Sequence, residues 1–100
     1  MKCGSDEELA VLQWSVQKAK EVAGATRVLL FGSRARGDAD DRSDFDIAIE
    51  TDFPEKLAEL NALFQEHPLT LVAFDVVDMR SAQPHFQARI LSEAKDITNI

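Results

Sequence analysis

The sequence is poor in cysteine, in long apolar runs and in positive charge, and each shortage excludes a class of protein. Cys3 is the only cysteine among 100 residues, so no disulfide can form within the chain. No apolar run approaches the ~20 residues that a membrane-spanning helix needs. The first residues turn acidic where a secretory signal peptide would be apolar. These features predict a soluble, cytoplasmic protein that makes no membrane contact.

The charge balance also argues against a general nucleic-acid-binding protein. The 18 acidic residues outnumber the 11 basic ones, which gives a net charge of -7, whereas a grip on nucleic acid needs clustered lysine and arginine. The chain has no tyrosine, and its phenylalanines fall at positions typical of a core rather than of a base-stacking surface. A hydrophobic content of 45% instead predicts one compact domain over residues 1–100.

Apolar periodicity predicts an α/β (α+β) fold, a small mixed sheet of three main strands with helices packed on it. Ser5 and Glu8 form a capping box at the start of the first helix, whose buried stripe is expected to begin at Leu9. The short link between the first two strands favours an antiparallel pair, and a helical crossover makes the second and third strands parallel. The predicted elements are a helix over 5–23, strands over 28–31 and 45–50, a helix opened by Asp52 and Pro54 and stopped by Pro68, a strand over 69–79, a helix over 83–95, and a tail over 97–100 that forms a short edge strand or frays.

Two aspartates at the head of the second strand predict a metal site. Side chains alternate along a strand, so Asp44 and Asp46 project from the same face with Cα atoms roughly 6.5 Å apart. Magnesium is usually bound through one or two carboxylates together with substrate phosphates. The alternative is structural, because Ser43 and Asp44 could simply cap a turn.

A glycine-serine turn follows the first strand, where backbone N–H groups can approach an anion. The hydroxyl of Ser33 can donate to a phosphate oxygen, and Arg34 and Arg36 can add charge-assisted hydrogen bonds. These residues, with Gly32, are therefore candidates for binding a nucleotide. The alternative is a solvated loop of mixed charge, because aspartates are interleaved with these arginines.

A third carboxylate would complete a centre for two metal ions. The third strand offers Asp75 and Asp78, which lie three residues apart and therefore on opposite faces. Asp75 lies in mid-strand, where an unpaired charge would be costly to bury, and we predict that it joins Asp44 and Asp46. A solvent-facing structural aspartate is the alternative.

The two histidines receive structural interpretations. His67 falls at the C-terminal end of a predicted helix, where a positively charged ring is favoured. Neither His67 nor His85 has partners at metal-ligand spacing, so the sequence does not predict a zinc site.

With these motifs together, the chain resembles the minimal nucleotidyltransferase family of the DNA polymerase beta-like superfamily. The hallmark is Gly-Ser, about ten residues, Asp-x-Asp and a later strand with a third aspartate, and it extends here to the form Gly-Ser-x-Ala-Arg-Gly over 32–37. The resemblance covers nearly the whole chain and implies the nucleotidyltransferase palm fold. One departure is Ala94, where relatives often carry glycine after the glutamate.

The resemblance implies transfer of a nucleoside monophosphate, AMP from ATP or another nucleoside triphosphate, to a hydroxyl group. By this analogy Asp44 and Asp46 hold two Mg2+ ions, Asp75 joins the ion that activates the acceptor, and Gly32 and Ser33 contact the triphosphate. Many minimal members act as antitoxins that transfer AMP onto a helical HEPN partner protein. The alternative function is a non-catalytic module that binds such a partner, and homo-oligomer formation stays open.

Overall fold

The computed structural model describes residues 6–40 and 42–100, so the predicted cap at Ser5 lies outside the described residues. A 3₁₀ turn over Pro54–Lys56, with proline in its first position, precedes the third helix. The elements in chain order are α1 Asp6–Ala23, β1 Ala25–Phe31, α2 Ser33–Arg36, β2 Phe45–Thr51, α3 Leu57–Gln65, β3 Phe74–Asp78, α4 Pro84–Glu93 and β4 Lys95–Asp96.

Among the described residues, one mixed sheet joins four strands in the order β3-β2-β1-β4. The predicted antiparallel pairing of β1 with β2 and parallel pairing of β2 with β3 are both confirmed. The first three are the predicted main strands, and the short edge strand lies at Lys95–Asp96 instead of in the tail over 97–100. The last helix ends at Glu93 instead of running to 95, and Lys95 and Asp96 pair with Leu30 and Leu29 of β1.

The third strand is shorter than predicted. Its ladder with β2 begins where Phe74 lies opposite Phe45, the first residue of β2. Residues 69–73 therefore have no paired strand beside them, although their apolar character favoured one. Leu69 and Leu71 are exposed in this segment, so hydrophobicity alone was a misleading signal for strand structure there.

Helices cover both faces of the sheet, which explains the near-continuous apolar runs of the strands. The first face carries α1 and α3, and the second carries α4. The second face matters for the site, because its core is small and leaves the start of β2, where Asp46 lies, only partly covered. That smaller core contains Leu29, Phe31, Ala48, Met79 and Ile90.

Helix α1 packs on the first face with a buried stripe that differs from the prediction at its start. Leu9 is 45% exposed, whereas Val11 and Leu12 are buried. The stripe thus begins later than expected, since the first turn of α1 extends beyond the edge of the sheet core. None of the helices in the described ranges is long and apolar enough to cross a membrane.

His67 is buried between α1 and the start of β3, which corrects the expectation of a positively charged ring. Its Nδ1 accepts a hydrogen bond from the Leu69 N–H at 3.1 Å, which leaves the proton on Nε2. That atom lies 3.3 Å from the Val11 carbonyl oxygen and 3.2 Å from the Ser15 hydroxyl. Burial lowers the pKa of His67, although the bond to Val11 opposes the shift. With Nδ1 accepting a hydrogen bond the ring is in its neutral form, and it packs at a tilt against Trp14 and stacks on Phe74.

This burial predicts a loss of stability in mild acid. Because the folded-state pKa lies below the unfolded value of about 6.5, the unfolded chain binds the extra proton first as the pH falls. The free energy of unfolding should fall from pH 6.5 downward, by up to about 1.4 kcal/mol per pH unit, until the folded-state pKa is reached. Urea titrations between pH 7.5 and 5 measure this slope. The substitution His67→Gln should flatten it, and His85→Gln, at an exposed position on α4, should not.

Candidate active site

The turn after β1 brings the backbone against a carboxylate of β2. Gly32 has φ 75° and ψ -157°, a conformation that is essentially restricted to glycine. A Cβ atom at this position would lie 2.1 Å from Oδ2 of Asp46. The following helix α2 is short, and Gly37 closes it in the left-handed conformation. Gly32 therefore supplies both the turn and the close approach.

Strand register brings the sequence-predicted aspartates to one end of the sheet. Asp46 lies opposite Asp75 in the β2–β3 ladder. Ala48 and Val77, two residues further along each strand, pack with the core beneath α4, so alternation places both aspartates on the α4 face. Asp44 lies just before β2 and is exposed, as is Asp75, whereas Asp46 is partly buried.

Electrostatics single out Asp46 among these carboxylates. Burial raises the pKa of Asp46, and the charges of Asp75, Asp44 and Glu93 raise it further, while Arg36 lowers it. Each of these three carboxylates is therefore close enough to destabilise the ionised form of Asp46. Such a group of mutually repelling charges is stabilised by a cation.

A cleft of 260 Å³ opens beside the turn. One wall is aromatic, because Phe31 and Phe86 meet edge to face with ring centroids 6.1 Å apart. The other wall combines backbone, hydroxyl, guanidinium and carboxylate groups, which suits a ligand that carries polar and charged parts. The lining residues are Phe31, Gly32, Ser33, Arg36, Asp46, Phe86, Arg89 and Glu93. Asp44 and Asp75 are exposed and do not line this cleft.

Glu93 is the residue of this site that the motifs missed. It accepts a hydrogen bond from the Gly32 N–H at 2.7 Å, and Nη1 of Arg36 lies 3.2 Å from the same carboxylate. Glu93 is the last residue of α4, 61 positions along the chain from Gly32. A glutamate at the end of a predicted helix carries no chemical signal of its own, and the resemblance to the family marked its position without a role, which the tertiary structure supplies.

Arg34, expected among the nucleotide-binding residues, has a different environment from Arg36. Its guanidinium is 3.9 Å from the centre of the Phe45 ring, and its Nη1 lies 2.8 Å from a carboxylate oxygen of Glu8. Its Nε also donates to the Ser43 carbonyl at 2.8 Å. With a side chain only 6% exposed, Arg34 ties α1 to the loop before β2 and does not line the cleft. The structure therefore separates two arginines that the motif places together.

The donor set fits a divalent cation in its chemistry, although it does not form a complete cage. Carboxylate oxygens are the ligands that magnesium prefers, and the pKa of Asp46 is raised by burial first and then by neighbouring carboxylates that have no cation between them. Within residues 6–40 and 42–100, no group of three or more histidine, cysteine or acidic side chains is arranged to hold a metal ion. Magnesium bound by one or two carboxylates would need its remaining ligands from water and substrate phosphates.

Comparisons with known proteins agree with this geometry. The sequence model of the family described as "Polymerase beta, Nucleotidyltransferase" matches residues 13–100. A solved structure identified provisionally as a minimal nucleotidyltransferase is 28% identical, with a TM-score of 0.73 over 93% of this chain and 97% of that one. A toxin–antitoxin structure solved with AMP-PNP has the same fold, with 21% identity and a TM-score of 0.63 over 91% of this chain and 69% of that one. No curated protein sequence is similar enough to this chain to count as a match.

Proposed function

The chain belongs to the polymerase beta nucleotidyltransferase family and is a nucleotidyltransferase, and we propose that it transfers AMP from ATP to a hydroxyl group of a partner protein. The observation that supports the proposal most directly is the position of Asp46. Its partly buried carboxylate lies against the Gly32 turn and beside Asp75 in the sheet. One side of Asp46 thus faces a turn suited to phosphates, and the other faces two exposed carboxylates.

Divalent metals are general in this family, and Asp44, Asp46 and Asp75 are the residues that would hold Mg2+ here. Two bound Mg2+ ions would supply neutralisation of phosphate charge and a lower pKa for the attacking hydroxyl. The chain itself positions the substrate. Gly32 allows the backbone to approach the phosphates, and the Ser33 hydroxyl donates to a phosphate oxygen. Catalysis of this kind depends on orientation and charge neutralisation more than on covalent chemistry by the protein.

Arg36 is the arginine that we assign to the phosphates. It lines the cleft, and its side chain is 42% exposed, so its guanidinium is accessible to a ligand. A planar guanidinium can donate two parallel hydrogen bonds to a phosphate. Arg34 is left out of the proposed site because its buried contacts with Glu8 and Phe45 hold it elsewhere.

We assign the acceptor to a helical partner of the HEPN type, which would make this chain the antitoxin of a toxin–antitoxin pair. The toxin–antitoxin structure solved with AMP-PNP supports this assignment through its shared fold. Exposed apolar side chains also support a protein partner, since Leu71 is fully exposed and Leu69 is 54% exposed. The same side chains would suit a homo-oligomer, and location in the cytoplasm remains a prediction.

A second candidate function is non-catalytic binding of the partner, which the same exposed leucines favour. Incubation of the chain with labelled ATP, Mg2+ and a candidate helical partner separates the two functions. Transfer of label supports the enzyme. Absence of transfer, with partner binding unchanged in a variant carrying Asp44→Ala and Asp46→Ala, supports the binding module.

The two acidic residues of β3 provide a matched test of the site. Asp75 lies beside Asp46, whereas the carboxylate of Asp78 is engaged with Ser81 and with the Arg80 N–H in the turn that follows β3. Asp75→Asn should lower the rate of AMP transfer by about 10²-fold, because it removes a carboxylate from the charged end of the sheet. Asp78→Asn should change the rate by no more than about twofold. Initial rates with saturating partner measure the difference, and equal losses in both variants would remove Asp75 from the site.

A further inference from the structure

Glu93 accepts hydrogen bonds from two donors, the Gly32 N–H and the Arg36 guanidinium, that the proposed function needs for phosphate. Its Oε2 accepts the Gly32 N–H at 2.7 Å, and Nη1 of Arg36 donates to its two oxygens at 3.3 and 3.2 Å. The side chain of Glu93 is 15% exposed. A carboxylate is thus already seated between the turn after β1 and the accessible arginine of the cleft.

Without the hydrogen bonds from Gly32 and Arg36, this position would be electrostatically unfavourable for a glutamate. Glu93 is the last residue of α4, and the C-terminal end of a helix disfavours negative charge. It also adds a charge next to Asp46, whose pKa it helps to raise. The hydrogen bonds from Gly32 and Arg36 therefore offset the cost of holding this carboxylate in the cleft.

We propose that Glu93 competes with the nucleotide phosphates, an inference that rests on the proposed function. Glu93 must then release Gly32 and Arg36 before a triphosphate can bind. A carboxylate and a phosphate are both anionic acceptors and seek the same donors. Gly32 has a single N–H to donate, and a triphosphate beside Glu93 would also experience direct charge repulsion. Glu93 thus sets the affinity of the site for polyphosphate ligands.

Release requires no change in the fold. Several rotatable bonds separate the Glu93 carboxylate from the backbone, and Ala94 leaves α4 in an extended conformation. The side chain can therefore swing outward while α4 keeps its contact with the core through Ile90. If Glu93 is seated in about nine of ten free molecules, the apparent affinity for the competing ligand is reduced about tenfold.

Equilibrium binding of AMP-PNP in the presence of Mg2+ tests this competition without any need for transfer. Glu93→Gln keeps an acceptor oxygen for Gly32 but removes the negative charge, and Glu93→Ala removes both. Glu93→Ala should bind AMP-PNP about tenfold more tightly than the natural chain, and Glu93→Gln should tighten binding by a smaller factor because its amide oxygen still accepts from Gly32. Glu66→Gln, an equal change of charge at the exposed end of α3, should bind as the natural chain does.

Inorganic tripolyphosphate is the second probe, because it lacks the base and the ribose. The same tightening in the Glu93 variants is expected, since the competition concerns the phosphates alone. Unchanged or weaker binding of either probe by the Glu93 variants would overturn the proposal and make Glu93 a support for the turn. If the variants bind both probes more tightly but no transfer occurs in any chain, the competition holds and the proposed enzymatic function fails.

Discussion

Replacement of Asp46 by asparagine should reduce the rate of AMP transfer by about 10³-fold or more while the fold is retained. Asparagine has nearly the same size and shape as aspartate, so it fits against Gly32 in the space that the turn leaves. What it lacks is the charge that would help to hold magnesium. The loss should appear mainly in kcat/KM, measured as label transfer from ATP.

The same substitution should leave the free energy of unfolding unchanged or higher. In the free protein, burial and three neighbouring carboxylates act against the ionised form of Asp46, and a neutral amide removes that repulsion. A gain in stability together with a loss of activity would identify Asp46 as a functional rather than a structural residue. Urea denaturation at pH 7 measures the free energy of unfolding, on the same protein preparation that is used for the rate measurements.

Asp52→Asn is the matched control. Asp52 follows β2, is exposed, and forms an ion pair with Arg80 at 2.6 Å. An exposed pair contributes little to stability, so this variant should retain full transfer activity and near-natural stability. Retention of activity by Asp46→Asn, or an equal loss in Asp52→Asn, would argue against a catalytic role for the start of β2.

Local patterns in the sequence were sufficient to predict most of the scaffold of the site. Alternation along β2 places Asp44 and Asp46 on one side, and the crossover through α3 makes β2 and β3 parallel. Those two rules bring β2 and β3 side by side, and the observed register then places Asp75 opposite Asp46. They succeed because they depend only on strand geometry and on the order of elements along the chain.

The remaining features of the site depend on contacts that no local pattern encodes. Arg34 and Arg36 are two residues apart in one motif, yet one is buried against Phe45 and the other lines the cleft. Successive helical positions point in different directions, so a short helical turn separates neighbours that a motif groups together. Glu93 is distant in sequence from the rest of the site, and its position depends on where α4 ends and β4 begins.

The length of β3 also could not be predicted from the sequence of that segment alone. Residues 69–73 are apolar enough to form a strand, but β2 offers pairing only from Phe45 onward. Exposure of Leu69 and Leu71 follows from that missing partner. Whether an apolar segment becomes a strand is decided by its neighbour in the sheet, which the segment's own sequence does not specify.

Gly32→Ala should lower both stability and activity, and the comparison with Gly37→Ala separates the two causes. Gly37 is in the left-handed conformation, and a Cβ atom at this position would have nothing within 4 Å, so alanine there meets backbone strain alone. Its expected cost is about 1 kcal/mol of unfolding free energy. The activity of Gly37→Ala should remain close to that of the natural chain.

At Gly32 the same methyl group meets two obstacles. The backbone conformation is one that alanine scarcely adopts, and the new Cβ would lie 2.1 Å from the Asp46 carboxylate. Relief of the clash must move either the turn or Asp46. We expect a loss of about 3 kcal/mol in unfolding free energy and a fall of about 10²-fold in transfer rate, because a displacement near ~1 Å suffices for such a loss.

Measurement of both quantities for both variants decides whether the close approach of Gly32 to Asp46 matters for catalysis. If Gly32→Ala loses stability but transfers AMP at the natural rate under conditions where it is fully folded, the turn is only a structural feature. If Gly37→Ala shows the same fall in rate, the flexibility of the whole loop, rather than the contact with Asp46, controls activity. A fall in rate confined to Gly32→Ala assigns the effect to the turn that lies against Asp46, since the added methyl group at Gly37 has nothing within 4 Å.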